Sequence, residues 1–274
     1  LHKGAGGRPA GQEAAGVVSA VGAGVTKFKA GDRVMGRCPG AYSEFGIINE
    51  NEAIPVPESM SWEQAGAIPL VFLVTYDMLV QQGKLQSGEW LLITGVSSGV
   101  GVASLLTAKA IGAKVIGTSG SKPKLDQLKD MGLDVAVNSR GGAIYDAVMA
   151  ATDNKGANLV VNNVGGSVFA ECIKSLAYRG RLATVGYLDR QMHAEIDIDA
   201  LHAKRLTLFG VSNKLRSAAE RGETVAGFTR DWLPLFASGK IKPVIDKVFP
   251  YAQLPQAQAH MESDTQTGKI VVTM

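Results

Sequence analysis

The pattern of apolar and polar positions changes character near residue 60. Before it, short runs rich in Val and Ile alternate with glycine turns. "EAAGVVSAVG" (13–22), "GDRVMG" (31–36) and "AYSEFGIIN" (41–49) read as strands of a compact β unit. "AIPVPES" (53–59), with two prolines, reads as a crossing segment. Ser61 is placed to cap a helix starting at Trp62, and the apolar pattern from there to Gln82 suits one or two buried helices. From Trp90 strand and helix alternate. Strands are predicted at 90–94, 114–119, 135–138, 157–163, 181–186 and 206–212, and helices at 100–111, 122–131, 142–152, 167–177 and 216–237. Runs such as "LLIT" and "NLVVN" lack polar alternation, as expected of strands covered by helices on both faces. Six such strands with right-handed crossovers make an α/β doubly wound parallel sheet of order 3-2-1-4-5-6, the Rossmann arrangement. After Lys240 the texture returns to short strands at 244–250 and 268–274 around a helix at 254–262. The domains drawn this way are a smaller β-rich unit, 1–70 with 240–274, and a doubly wound α/β unit, 71–239.

Composition narrows the function classes. The 274 residues are 46% hydrophobic and 19% charged, enough to bury one large core or two modest ones. A net charge of +3, without runs of Lys and Arg interleaved with aromatics, argues against nucleic-acid or membrane partners. The two cysteines, Cys38 and Cys172, lie far apart and read as reduced, buried thiols. No signal peptide is visible, and the uncharged run near Ala65–Tyr76 is too short to span a bilayer, so a cytoplasmic location is expected.

The candidate chemistry begins at "WLLITGVSSGVG" (90–101), where an apolar strand runs through a glycine turn into a helix. Glycines there let a pyrophosphate approach the backbone, and the free N–H groups and dipole of the helix N-terminus bind the anion. Ser97, Ser98, Gly99, Val100 and Gly101 are the candidates, the last three mainly through backbone. At the end of the second strand an NAD site usually carries an acid for the ribose hydroxyls. Here "GTSGSKPK" (117–124) has none. Ser119, Ser121 and Lys124, with Lys122 and Arg140 behind them, offer hydroxyls and positive charge to a 2′-phosphate, which makes NADP(H) the expected cofactor.

The turn Thr94-Gly95-x-x-x-Gly99-x-Gly101 is shared by short-chain dehydrogenases and medium-chain quinone reductases. The short-chain reading needs a Tyr with Lys four residues on, and none of the six tyrosines has one. About eighty-five residues of β-rich sequence also precede the turn, which that family does not explain. The medium-chain landmarks are all present in order: "GQEAAGVVSAVGAGVTKFKAGDRVMG" (11–36), "GAYSEF" (40–45), "GVSSGVG" (95–101), "VVNNVGG" (160–166), "GRLATVG" (180–186) and "GKIVV" (268–272). From about residue 8 onward the chain resembles the zinc-independent medium-chain dehydrogenase/reductases of the NADPH:quinone oxidoreductase type. The resemblance implies a GroES-like catalytic domain, whose relatives carry further strands ahead of the position of Leu1.

It also implies site residues. Val164 and Gly165 would lie near the nicotinamide ribose, Gly186 and Tyr187 after the fifth strand, and Phe209, Gly210 and Val211 near the nicotinamide. Lys269 is a further candidate backstop for the cofactor. Zinc-dependent members have His in the turn G-x-E; here Gln12 stands there, and Cys38 replaces a four-cysteine lobe. His2, His193, His202 and His260 are scattered, and His260 reads as a surface or packing residue, so no metal is expected. Without a Lewis acid the substrate should already be activated, as quinones and α,β-unsaturated carbonyls are. Tyr42 and Tyr76 are the available phenols for a proton donor. Two alternatives remain: an enoyl-thioester reductase, for which Lys3, Arg8, Arg37, Lys214 and Arg216 are candidate phosphate contacts, and an NADPH-binding redox sensor without turnover. A homodimer paired through "LTLFGVS" (206–212) is expected.

Overall fold

The computed structural model of the protein describes residues 10–139 and 144–274, which fall into two compact units. One is Val74–Ser212; the other comprises the described part of residues 1–73 and Asn213–Met274.

The Val74–Ser212 unit is built on six parallel strands: β4 (Trp90–Thr94), β5 (Lys114–Ser119), β6 (Val135–Asn138), β7 (Ala157–Asn162), β8 (Leu176–Thr184) and β9 (Thr207–Gly210). Their spatial order is β6-β5-β4-β7-β8-β9, which is 3-2-1-4-5-6 counted within the sheet, as expected. Leu91, Leu92, Ile93, Leu159, Val160 and Val161 are fully buried, because helices cover both faces and leave no polar alternation to read. Val148, Cys172 and Ile173 pack onto this core from the helices Ile144–Ala151 and Phe169–Lys174. β8 starts earlier than the predicted 181–186. Leu176 already pairs with Ala157, and the register then jumps so that Leu159 faces Arg181. Exposed Tyr178 and Arg179 in that jump break the apolar run, which hides the first half of the strand.

The other unit holds an antiparallel sheet, β1 (Glu13–Val17), β2 (Arg33–Arg37) and β3 (Ala53–Pro55), and a parallel pair, β10 (Ile245–Pro250) with β11 (Lys269–Thr273). The crossing segment thus begins as a strand on β2. Residues 41–49, expected as a strand, form none. The Ser43 hydroxyl donates to the carbonyls of Gly40 and Phe45, a local alternative to ladder pairing, and Phe45 and Ile47 stand exposed.

Ser61 caps the helix Trp62–Gly66 with a full capping box, and the apolar run continues as a helix over Pro69–Tyr76 and a π-helical turn over Asp77–Gln82. The predicted helix 216–237 divides into Ala218–Asp231 and Leu233–Ala237, with Pro234 in the first turn of the second. Both belong to this β-rich unit, whereas the pattern along the chain placed them with the dinucleotide-binding domain. The physical reason is packing: the Phe72 and Phe236 rings meet edge-on at 4.8 Å, Phe228 lies 5.7 Å from Phe236, and Arg221 clasps Glu52. Burying each such ring contributes about 1.5–3 kcal/mol. Among the described residues no helix is long and apolar enough to cross a membrane.

Candidate functional site

The glycine turn leaves the carboxyl end of β4. Val96 N–H donates to the Thr118 carbonyl (2.9 Å), which ties the turn to β5. The helix Gly99–Ile111 follows, with Ser98 as its N-cap and the Ser98 hydroxyl accepting from Gly101 N–H at 3.1 Å. A Cβ on Gly101 would stand 2.6 Å from both the Gly95 and Val96 carbonyl oxygens, so the turn closes onto the helix only because that atom is missing. These features fit a pyrophosphate cradle, a tight turn delivering backbone N–H groups at the N-terminus of a long helix.

Ser119, at the end of β5, is buried, and its hydroxyl sits 3.3 Å from the Ser97 hydroxyl while accepting from Ser121 N–H at 3.2 Å. The structure therefore joins the pyrophosphate and 2′-phosphate candidates into one hydroxyl-lined corner without a carboxylate in these contacts. Ser121 precedes the helix Lys122–Asp130 without a side-chain cap bond, and Lys124 is half-buried in its first turn. Lys122 instead faces Asp126 at 2.9 Å, and its hydrogen bond, with that from Lys129, holds the Asp126 carboxyl below the ordinary range. Arg140 lies outside the described residues.

On the other side of β4, the ends of β7 and β8 form a dense polar network. Thr94, Asn162 and Asn163 are buried. The Thr94 hydroxyl accepts from Asn163 N–H (3.1 Å) and lies 3.1 Å from Asn162 Oδ1, while Asn163 Nδ2 donates to the Thr94 carbonyl (2.9 Å). Asn162 Oδ1 accepts from the N–H groups of Val164 (3.1 Å) and Gly165 (3.0 Å), and its Nδ2 donates to the Gly165 carbonyl (3.0 Å). Gly165 takes φ +123°, and a Cβ there would fall 2.1 Å from Asp189 Oδ1. Asp189 accepts from Ser167 N–H and Gln191 N–H, each at 2.8 Å. Partial burial pushes its pKa up, but hydrogen bonding from the Ser167 side chain, joined by these backbone bonds, outweighs it and keeps the carboxyl below its ordinary range.

Gly186 N–H donates to the Asn162 carbonyl, Tyr187 is half-exposed beside it, and Val211 N–H donates to the Thr184 carbonyl. Phe209 is half-buried on β9, and Gln82 Nε2 reaches the Gly210 carbonyl at 3.4 Å. The network residues Thr94, Asn162, Asn163 and Asp189 are not among those the sequence singled out. Their signal was a polar pair closing an otherwise apolar strand, in "NLVVNN".

The candidates in the β-rich unit are dispersed. Lys269 pairs with Glu13, whose other oxygen accepts from Leu70 N–H at 2.7 Å, so the backstop lysine already has a carboxylate partner. Tyr42 is exposed, with its carbonyl 3.5 Å from the Tyr251 hydroxyl, whereas Tyr76, in the other unit, is buried. His260 packs near Phe249 and meets Asp246 at 2.7 Å. Both cysteines are free and buried; burial pushes the Cys38 thiol up and the Cys172 thiol up to about 12, which keeps them protonated at neutral pH. Among the described residues no group of three or more His, Cys, Asp or Glu side chains is arranged to hold a metal.

Comparison with known proteins places this geometry in a family. Residues 99–224 match the family described as zinc-binding dehydrogenase, and residues 5–58 match the alcohol dehydrogenase GroES-like domain. A quinone oxidoreductase-like protein 2 homolog of Nematostella vectensis is 31% identical over 96% of this chain and 72% of its own length. The chain belongs to the medium-chain dehydrogenase/reductase family. Within that family it is of the quinone oxidoreductase-like kind. It also matches the highly reducing polyketide synthase lcsB of Purpureocillium lilacinum, 31% identical over 97% of this chain, but it spans only 11% of that protein. Among solved medium-chain structures, the quinone oxidoreductase of Pseudomonas syringae pv. Tomato DC3000 superposes with a TM-score of 0.84 at 28% identity, covering 96% of this chain and 81% of that one. The mycobacterial Rv1454c complexed with NADPH gives 0.85 at 26%, over 96% and 82%. The CurK enoyl reductase gives 0.79 at 26%, over 97% and 79%.

Proposed function

We propose that this medium-chain reductase takes hydride from NADPH and delivers it to a quinone or an α,β-unsaturated carbonyl without zinc. The observation that carries the cofactor is the corner formed by the Gly95–Gly101 turn and Ser119, where hydroxyls replace the acid of an NAD site. A solved relative carries NADPH. When bound, the nicotinamide supplies the hydride. The chain's own part is to hold and orient: Ser97, Ser98 and the backbone from Gly99 to Gly101 take the pyrophosphate, while Ser119, Ser121 and Lys124 take the 2′-phosphate. Val164, Gly165, Gly186, Tyr187 and Phe209 to Val211 line the ends of β7, β8 and β9 for the nicotinamide half. Gln12 in place of His, and cysteines held as buried thiols, do not make a zinc donor set. The edge position of β9 supports pairing of two copies along that strand.

A second reading is an enoyl-thioester reductase. The match to a polyketide synthase and the likeness to the CurK enoyl reductase favour it. So does a pocket in the β-rich unit lined by Arg37 and Arg216, two of the candidate phosphate contacts, together with Glu52, Pro69, Leu70 and Val225. One experiment separates these readings: NADPH or NADH is mixed with the protein, and cofactor absorbance is followed with a quinone, an enone and an enoyl thioester. NADPH consumption with the first two supports the main reading, and consumption with the thioester alone supports the second. NADH consumption without NADPH consumption overturns the 2′-phosphate assignment.

A further inference from the structure

In a doubly wound sheet the ligand lies across the carboxyl ends of the strands where the strand order reverses. Here that point is β4, with β5 on one side and β7 on the other. The pyrophosphate cradle sits at the end of β4, and the adenosine side, with Ser119, lies over β5. The other half of a dinucleotide must therefore extend over β7. The segment it meets there, Asn162 to Gly166, is fastened from three directions. Thr94 and Asn163 bind it to the base of the glycine turn. The loop after β8 grips it through Val185 N–H and Gly186 N–H on the Asn162 carbonyl, Leu188 N–H on the Asn163 carbonyl and Asp189 N–H on the Val164 carbonyl. Inside it, the Asn162 amide binds Val164 N–H, Gly165 N–H and the Gly165 carbonyl, which turns the chain back at a left-handed glycine.

We infer that Asn162 is a positioning residue that preassembles the loop after β7 as a rigid platform for the nicotinamide half of the cofactor, with the Thr94 hydroxyl as its link to the glycine turn. The inference rests on the dinucleotide reading of the glycine turn. A buried amide with both ends engaged fixes its loop before any ligand arrives, so the ordering cost is met in folding rather than in binding. Asn suits the task where Asp does not: a carboxylate would retain the acceptor for two N–H groups but would set a second oxygen against the Gly165 carbonyl.

The test compares NADPH with 2′,5′-ADP, which carries only the adenosine and 2′-phosphate side. Dissociation constants for both are measured on the wild-type chain, on Asn162→Ala and on the near-isosteric Thr94→Val, with urea denaturation to confirm that each variant is folded. The expected result is NADPH weakened tenfold or more in Asn162→Ala and severalfold in Thr94→Val, with 2′,5′-ADP unchanged within twofold in both. Should Asn162→Ala not fold, Thr94→Val alone decides. Equal weakening of both ligands would mean a general structural role, and unchanged NADPH binding would mean no role; either overturns the inference. Wild-type protein that binds neither ligand overturns the dinucleotide reading and this inference with it, a result distinguishable from failure of the variants alone.

Discussion

Adding a single methyl group at Gly101 tests the pyrophosphate cradle. The new Cβ of Gly101→Ala meets the Gly95 and Val96 carbonyl oxygens at 2.6 Å and the Val96 carbonyl carbon at 2.7 Å, all backbone atoms without a rotamer to escape into. Ordinary contact begins near 3.4 Å, so the turn must open by about 0.8 Å, the difference between 3.4 and 2.6. Overpacking of this kind costs roughly 1–3 kcal/mol. Replacing Gly by Ala inside a helix returns about 1 kcal/mol, and disturbing the Ser98 cap removes a similar amount, so the net destabilisation is about 1–3 kcal/mol. The effect on binding is separate. Displacing one N–H from a charged phosphate loses about 1.5–3 kcal/mol, or roughly a ten- to hundredfold rise in the NADPH dissociation constant. The assay is NADPH titration by nicotinamide fluorescence, alongside urea unfolding of the same protein. Gly66→Ala is the control, because its Cβ meets nothing within 4 Å. A Gly101→Ala chain that is folded and binds NADPH within twofold of wild type would refute the reasoning.

Further outcomes follow from the same contacts. Ser119→Asp places a carboxylate in the hydroxyl corner and should shift preference from NADPH toward NADH by tenfold or more; an unchanged ratio of dissociation constants removes Ser119 from the 2′-phosphate site. Arg221→Ala leaves buried Glu52 with Arg37, 3.9 Å away, as its one remaining cationic partner among the described residues and should destabilise the chain by about 3 kcal/mol in urea, whereas a loss below about 1 kcal/mol contradicts a clamp between these side chains. Asp189 is held below the ordinary carboxylate value, so its contribution to stability is present above about pH 3.9 and disappears as pH falls through its lower folded value. Asp189→Asn should therefore flatten the acid limb of stability against pH, and an unaltered slope counts against the Ser167 and Gln191 hydrogen bonds as its source.

Much of the fold was legible along the chain because its signals are local. β4, β5 and β6 run over the stretches predicted for them, 90–94, 114–119 and 135–138, and the glycine turn declares itself by Gly and Ser between an apolar strand and a helix. The failures share a cause. Residues 41–49 have the composition of a strand, but a strand also needs a neighbour, and Ser43 satisfies the local backbone instead. The start of β8 was hidden by the exposed residues in its register jump. The helix at Ala218–Asp231 has the same periodicity whichever domain it packs on; buried Glu52, far away in sequence, decides that through Arg221.

The candidate site divides along the same line. By itself the sequence determined the glycine turn, the acid-free end of β5 and the family landmarks, since each is a short run of residues whose chemistry is read in place. Tertiary structure decided which polar side chains converge there. It set the Ser119 hydroxyl against Ser97, gave Lys269 to Glu13, and joined Thr94 to Asn163 across 69 positions of chain. It also fastened "NNVGG" by hydrogen bonds beside the glycine turn. Hydrogen bonds of that range depend on strand order and register, which bring residues together irrespective of their separation along the chain.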